Sequence, residues 1–122
     1  MPFARTLGLV VLRYDREEVR ARLQWSPSLC TSGDVLHGGV VMALADSTGG
    51  ACAHLNLSEG ALATTTVESK TNFLRSVRKG FAVAASRPLH VGRTILVMET
   101  DVRDDEVRLV ARVTQSQLVV VG

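Results

Sequence analysis

From Gly38 to about Leu55 the chain reads Gly-Gly-Val-Val-Met-Ala-Leu-Ala-Asp-Ser-Thr-Gly-Gly-Ala-Cys-Ala-His-Leu. Apolar residues fall at every angle around a 3.6-residue period, the pattern of a helix enclosed on nearly all sides. Asn56 to Gly60 supplies a polar exit ending in glycine. Upstream, residues 7–14 and 18–25 read as short strands joined by the polar trio Asp15-Arg16-Glu17. Residues 26–36, dense in Pro, Ser, Thr, Gly and Asp, read as a loop that delivers the chain to the helix. Downstream, alternating and Thr/Val-rich patterns predict four long strands over about 62–74, 81–90, 94–102 and 107–120. Their turns carry Lys79-Gly80, Val91-Gly92-Arg93 and Asp104-Asp105-Glu106. Two strands, one helix and four hairpin-linked strands make an α+β protein: an antiparallel sheet of about six strands wrapped around one long central helix. The 122 residues leave nothing to cover the rest of the helix or one sheet edge, so a partner subunit is expected to do so.

Length and composition agree with a single domain over residues 1–122. Hydrophobic residues make up 46% of the chain and aromatics only 4%, so Val, Leu and Ala must build the core. Fourteen Lys and Arg against twelve Asp and Glu leave a formal charge of +2, too weak and scattered for a nucleic-acid partner. The apolar run after Arg5 is too short for a signal peptide, and no stretch reaches the roughly 18–20 apolar residues of a membrane span. A soluble, cytoplasmic protein with no membrane partner is the expectation. Cys30 and Cys52 have neither metal-ligand spacing nor the density of a disulfide framework, and His37, His54 and His90 lack partner spacing, so reduced thiols and no metal are expected.

Asp46 is the only ionisable side chain between His37 and His54, and Met42, Ala43, Gly49 and Gly50 are its neighbours at helical spacing. A buried, unpaired carboxylate costs several kcal/mol, so its presence calls for a chemical reason. His37-Gly38-Gly39 at the helix start offers one, because free backbone N–H groups at a helix N-terminus can polarise a carbonyl or hold an oxyanion. Gly38 and Asp46 are eight residues apart, roughly 12 Å along one helix axis. An aspartate side chain cannot close that gap. Two antiparallel helices across a two-fold axis would set Gly38 of one subunit near Asp46 of the other, twice per dimer.

Six short motifs then fall in one register: Leu36-His37-Gly38-Gly39, Ala45-Asp46-Ser47, Thr66-Val67-Glu68, Asn72-Phe73-Leu74-Arg75, Gly92-Arg93-Thr94 and Arg108-Leu109-Val110-Ala111. In order and spacing they resemble hotdog-fold thioesterases of the phenylacetate-pathway and 4-hydroxybenzoyl-CoA type. The resemblance implies hydrolysis of acyl-CoA thioesters by a homodimer or a dimer-of-dimers tetramer with shared sites, coenzyme A entering as part of the substrate and no separate cofactor. It assigns Asp46 as nucleophile or general base, the Gly38 N–H as the group polarising the carbonyl, and His37 as a positioning group, with Gly39 beside the substrate. Arg93 and the basic group Arg75, Arg78 and Lys79 become candidates for the CoA phosphates. Cys30-Thr31-Ser32 stands where relatives carry Asn or Gln, so Thr31 is a candidate replacement. Gly33 lies four residues before His37 rather than three, which suggests a one-residue insertion. Gly50 replaces a hydroxyl residue beyond the acid; Ser47, Thr48 or Thr66 can supply one, and Thr66 is counted with the catalytic set. Ser76 replaces a proline.

Two rival readings keep the fold. A hotdog hydratase or dehydratase commonly places Asp five residues before His, whereas Asp34 lies three before His37 here. A non-catalytic acyl-CoA-binding regulator would have little use for a carboxylate beside the ligand carbonyl.

Overall fold

The computed structural model describes residues 1–122. A short helix α1 (Pro2–Leu7) precedes strands β1 (Val10–Tyr14) and β2 (Val19–Gln24). A two-residue hairpin, β3 (Cys30–Thr31) and β4 (Val35–Leu36), leads into α2 (Gly38–Leu55). Four strands follow: β5 (Ala63–Phe73), β6 (Phe81–Val91), β7 (Ile95–Arg103) and β8 (Leu109–Val120). The predicted helix and long strands are present to within a few residues. The first strand starts later than expected because α1 takes the residues up to Leu7, closed by Gly8 at φ 75°.

Six strands form one antiparallel sheet in the order β1-β2-β6-β7-β8-β5, with α2 packed across it. Alternation along the central strands sends Ala21 and Leu23, Ala82 and Ala84, Leu96 and Met98, and Ala111 and Val113 into the core. Alanines beneath the helix let it lie close, so that Leu44, Ala45, Cys52 and Ala53 are wholly enclosed. Each enclosed leucine adds roughly 1.5–3 kcal/mol of burial. Both thiols are free, and burial pushes that of Cys52 up. No helix is long and apolar enough to cross a membrane.

One expectation is corrected here. The helix is not enclosed on nearly all sides: Gly39, Met42, Asp46 and His54 form an open stripe at helical spacing, on the side away from the sheet core. Strand β5 is also largely exposed along its eleven residues and forms one edge of the sheet. The apolar period reflected small residues that fit against either protein or solvent, not burial all round.

The opposite face of the sheet carries a charged lattice. Asp101 accepts from Arg112 at 2.8 and 3.3 Å and lies 3.6 Å from Arg87 and 3.7 Å from Arg103. The Arg112 hydrogen bond, aided by the charges of Arg112, Arg87 and Arg103 and opposed by burial, holds the Asp101 carboxyl below its usual range. A carboxyl whose folded value is depressed stabilises the fold fully above its unfolded pKa of about 3.9 and loses that contribution as pH falls through the lower folded value. Asp101→Asn should therefore lower the melting temperature at pH 7 by roughly 5 °C, with the gap from wild type closing in thermal melts taken below about pH 4.

Candidate functional site

His37 is the N-cap of α2, and its Nδ1 accepts the N–H of Gly39 at 2.8 Å. A Cβ at position 39 would stand 2.9 Å from Nδ1, so a side chain there would push the imidazole out of its capping position. An accepting Nδ1 leaves Nε2–H as the remaining donor of the neutral ring. The cap consumes the Gly39 N–H, whereas the Gly38 N–H has no acceptor in the chain and is the free donor of the helix start. The Phe73 ring packs beside Gly38, 3.3 Å from where a Cβ would be.

The loop that delivers His37 is held at several points. His37 N–H donates to Leu29 O and Leu36 N–H to Val77 O, both at 2.9 Å. Trp25 Nε1 donates to Asp34 O at 3.0 Å, and Arg78 donates to Gly33 O at 3.1 Å. The residues read as plain loop thus contain the β3–β4 hairpin, with Gly33 and Asp34 at φ 81° and 58° in its turn. Thr31 lies exposed in this hairpin and borders the same depression as Gly38 and Phe73, so it belongs to the helix start and not to the carboxylate.

Two turns further along α2, Asp46 is exposed in the single chain, which corrects the expectation of a buried carboxylate. Its Oδ1 accepts from Thr66 Oγ1 at 3.1 Å and from Gln115 Nε2 at 3.3 Å, while Oδ2 has no protein donor. Gln117 Nε2 donates to Thr66 Oγ1 at 2.6 Å. Of the three hydroxyls that could serve, the structure brings Thr66 to the acid; Thr48 is bonded to Leu44 O in the helix. A bulge at Val67 makes this possible: Thr66 pairs with Gln117 and Ser69 with Gln115, so residues three apart stand opposite the inward glutamines. A depression of about 650 Å³ opens at Asp46, bounded by Met1 and residues 2–4 of α1, by Ser47, Gly50 and His54 of α2, and by residues 63–66 of β5.

Gln115 and Gln117 were not singled out by the sequence, although their periodicity with Ala111 and Val113 places them on the helix side of β8. Gly49 is explained by Gln115, whose Oε1 would lie 2.1 Å from a Cβ at that position; Gly50 faces open space. Arg75, Arg78 and Lys79 do share a depression, but Asp104, Asp105 and Glu106 line it too, and Arg108 pairs with Asp104 and Glu106. Arg93 is not brought to them: it sits in the turn after β6, and Lys79 just before it, the strand's length of roughly 33 Å away. His37, His54 and His90 lie apart, and no three or more His, Cys, Asp or Glu side chains gather as a metal site.

Residues 33–111 match the family described as the thioesterase superfamily. Among solved structures, the chain is similar to a candidate esterase of Mycobacterium tuberculosis, 30% identical, with 100% of this chain and 98% of that one covered at a TM-score of 0.95. It is also similar to a thioesterase of Haemophilus influenzae, 29% identical over 97% of this chain and 82% of that one, at a TM-score of 0.91. In sequence it is 33% identical over 75 residues to the 1,4-dihydroxy-2-naphthoyl-CoA hydrolase of Escherichia coli, covering 62% of this chain and 54% of that protein.

The capping geometry makes a prediction independent of activity. His37→Ala should cost about 1 kcal/mol, read as a fall in the urea midpoint, while His37→Asn, which keeps a capping acceptor, should stay within a few tenths of wild type. Equal midpoints for the two variants would show that the imidazole does not cap the helix.

Proposed function

The chain belongs to the thioesterase superfamily and is a thioester hydrolase of the hotdog fold, and from that premise we propose that it hydrolyses acyl-CoA thioesters at a site shared by two subunits. The observation that carries this reading is Asp46 itself: an accessible carboxylate with one oxygen anchored by neutral donors and the other free, in a depression wide enough for a substrate. The catalytic cycle follows from these parts. The Gly38 N–H, strengthened by the partial positive charge of the helix end, binds the thioester oxygen and stabilises the oxyanion that forms on attack. Asp46 supplies the electron pair by one of two routes: as general base it takes a proton from a water whose oxygen attacks the carbonyl, and as nucleophile it forms an acyl–aspartyl anhydride that a water then hydrolyses. In either route the carbon–sulfur bond breaks, CoA leaves as its thiolate and the free acid is released. His37 positions the Gly38 N–H by capping the helix through Gly39.

Gly38 and Asp46 lie on one continuous 18-residue helix, so the roughly 12 Å between them stands, and no bend brings them together. The acid of one subunit therefore works with the helix start of its partner. The open stripe of α2 and the exposed edge strand β5 are the surfaces such a homodimer, alone or doubled into a tetramer, would cover. Arg75 and Lys79, which enter no ion pair within the chain, with Arg78 beside them, and the turn residue Arg93 are the cations proposed for the CoA phosphates.

The test is thiol release from a panel of aryl, short-chain and long-chain acyl-CoAs. Asp46→Ala should lower kcat by roughly 10²–10⁴-fold. Gly38→Pro removes the N–H at a helix position that tolerates proline and should lower kcat by roughly 10²–10³-fold with helix content kept. His37 already has ψ 135°, the extended backbone that a following proline requires. Full activity of Asp46→Ala, or an active monomer by light scattering, contradicts the proposal.

A further inference from the structure

The carboxylate that does the chemistry is held entirely by neutral groups. No lysine or arginine lines the depression at Asp46, and the two donors to its Oδ1 are a hydroxyl and an amide. A guanidinium in their place would neutralise the acid and compete for both oxygens. Two of the groups in this network come from β8, where Gln115 and Gln117 are 0% and 1% exposed. Burying two primary amides costs free energy unless their hydrogen bonds are met, and in Gln115 they are not all met: Oε1 has no partner. A leucine or methionine would fill the same space without that cost. Helix α2 also carries a glycine in its interior at position 49, itself unfavourable by about 1 kcal/mol, where any Cβ would collide with Oε1 of Gln115.

We propose that Gln115 and Gln117 are positioning residues for Asp46, and that Gly49 is the recess that admits the Gln115 amide; this rests on the catalytic reading of Asp46 given above. Gln115 Nε2 binds Oδ1 directly. Gln117 acts one step removed: its Nε2 donates to Thr66 Oγ1, occupying that oxygen as an acceptor and turning the hydroxyl proton toward Asp46. Both donors converge on the same oxygen, so the carboxylate plane is fixed and Oδ2 is presented to the substrate as the reacting atom. The two anchors and the glutamine behind Thr66 come from β5 and β8, neighbouring strands that the Val67 bulge keeps in the required register. The network therefore orients the acid without drawing off its charge, and the stability lost in burying two glutamines is exchanged for alignment at the reacting atom.

Gln115→Met and Gln117→Met separate this role from a structural one. Met matches the length of the side chain and removes the amide, so the melting temperature should stay level or rise in Gln115→Met, whose orphaned Oε1 is gone. At the same time kcat should fall roughly ten- to a hundredfold, with KM within about twofold, because an oriented hydrogen bond to a charged group has been removed from the reacting acid. Gly49→Ala should reproduce the kcat loss by displacing the Gln115 amide, and adding Gly49→Ala to Gln115→Ala, where the space is already free, should lower kcat no further. Wild-type kcat in both glutamine variants, or additive losses in that double variant, overturns the assignment. Asp46→Ala is assayed alongside: if it is inactive while the glutamine variants are fully active, this assignment alone fails, whereas an active Asp46→Ala overturns the catalytic reading beneath it.

Discussion

The anchoring of Asp46 depends on one close approach, that of Gly49 to the Gln115 amide. With no side chain at position 49 the helix settles onto β8 closely enough for Asp46, three residues earlier, to reach donors from both β8 and β5. A helix raised by a single methyl group would need the amide to withdraw or the carboxylate to lose an anchor. The alanines under the rest of α2 keep the same spacing along its length, and the leucine, valine and methionine core fills what remains. The role proposed for Asp46 rests on that approach, since the helix supplies the carboxylate and the sheet supplies the groups that hydrogen-bond it.

The two halves of the chemistry are arranged by different means. At the helix start a histidine caps its own helix through Gly39, which leaves the Gly38 N–H as the unspent donor. The hydrogen-bonded hairpin and the Leu29 and Val77 carbonyls hold this end still. In the middle of the helix the carboxylate is oriented by strands. A rigid helix connects the halves and also keeps them apart, and this separation is the ground for proposing that a second subunit completes the catalytic unit.

The central helix was legible because His37-Gly38-Gly39 marks its start and an unbroken small and apolar run fills it. The long strands were legible from alternation and from their Gly and acidic turns. Asp46 stood out as the lone acid in that run. Its surroundings did not, because one sequence period cannot tell a residue enclosed by its own chain from one left open for another, and Asp46 lies on the open stripe. Gln115 and Gln117 were hidden for a related reason: their alternation on β8 shows the face they occupy but not that Asp46 stands over it, nor that the Val67 bulge sets Thr66 beside Gln117. The basic residues 75, 78 and 79 were read as one patch, but the acidic turn 104–106 that folds against them is far away in sequence. Helix α1 went unrecognised because six residues carry too little periodicity to separate it from the strand that follows.

The shared site is tested most directly by mixing two inactive subunits. Asp46→Ala retains a sound Gly38, and Gly38→Pro retains a sound Asp46, so a dimer holding one of each contains one intact site and one doubly damaged site. Co-expression at equal levels with random pairing should return roughly a quarter of the wild-type thiol-release rate per subunit, well above either parent. Activity that stays at the level of the separate variants, in samples shown by mass to contain the mixed dimer, would place both groups in one subunit and contradict the account.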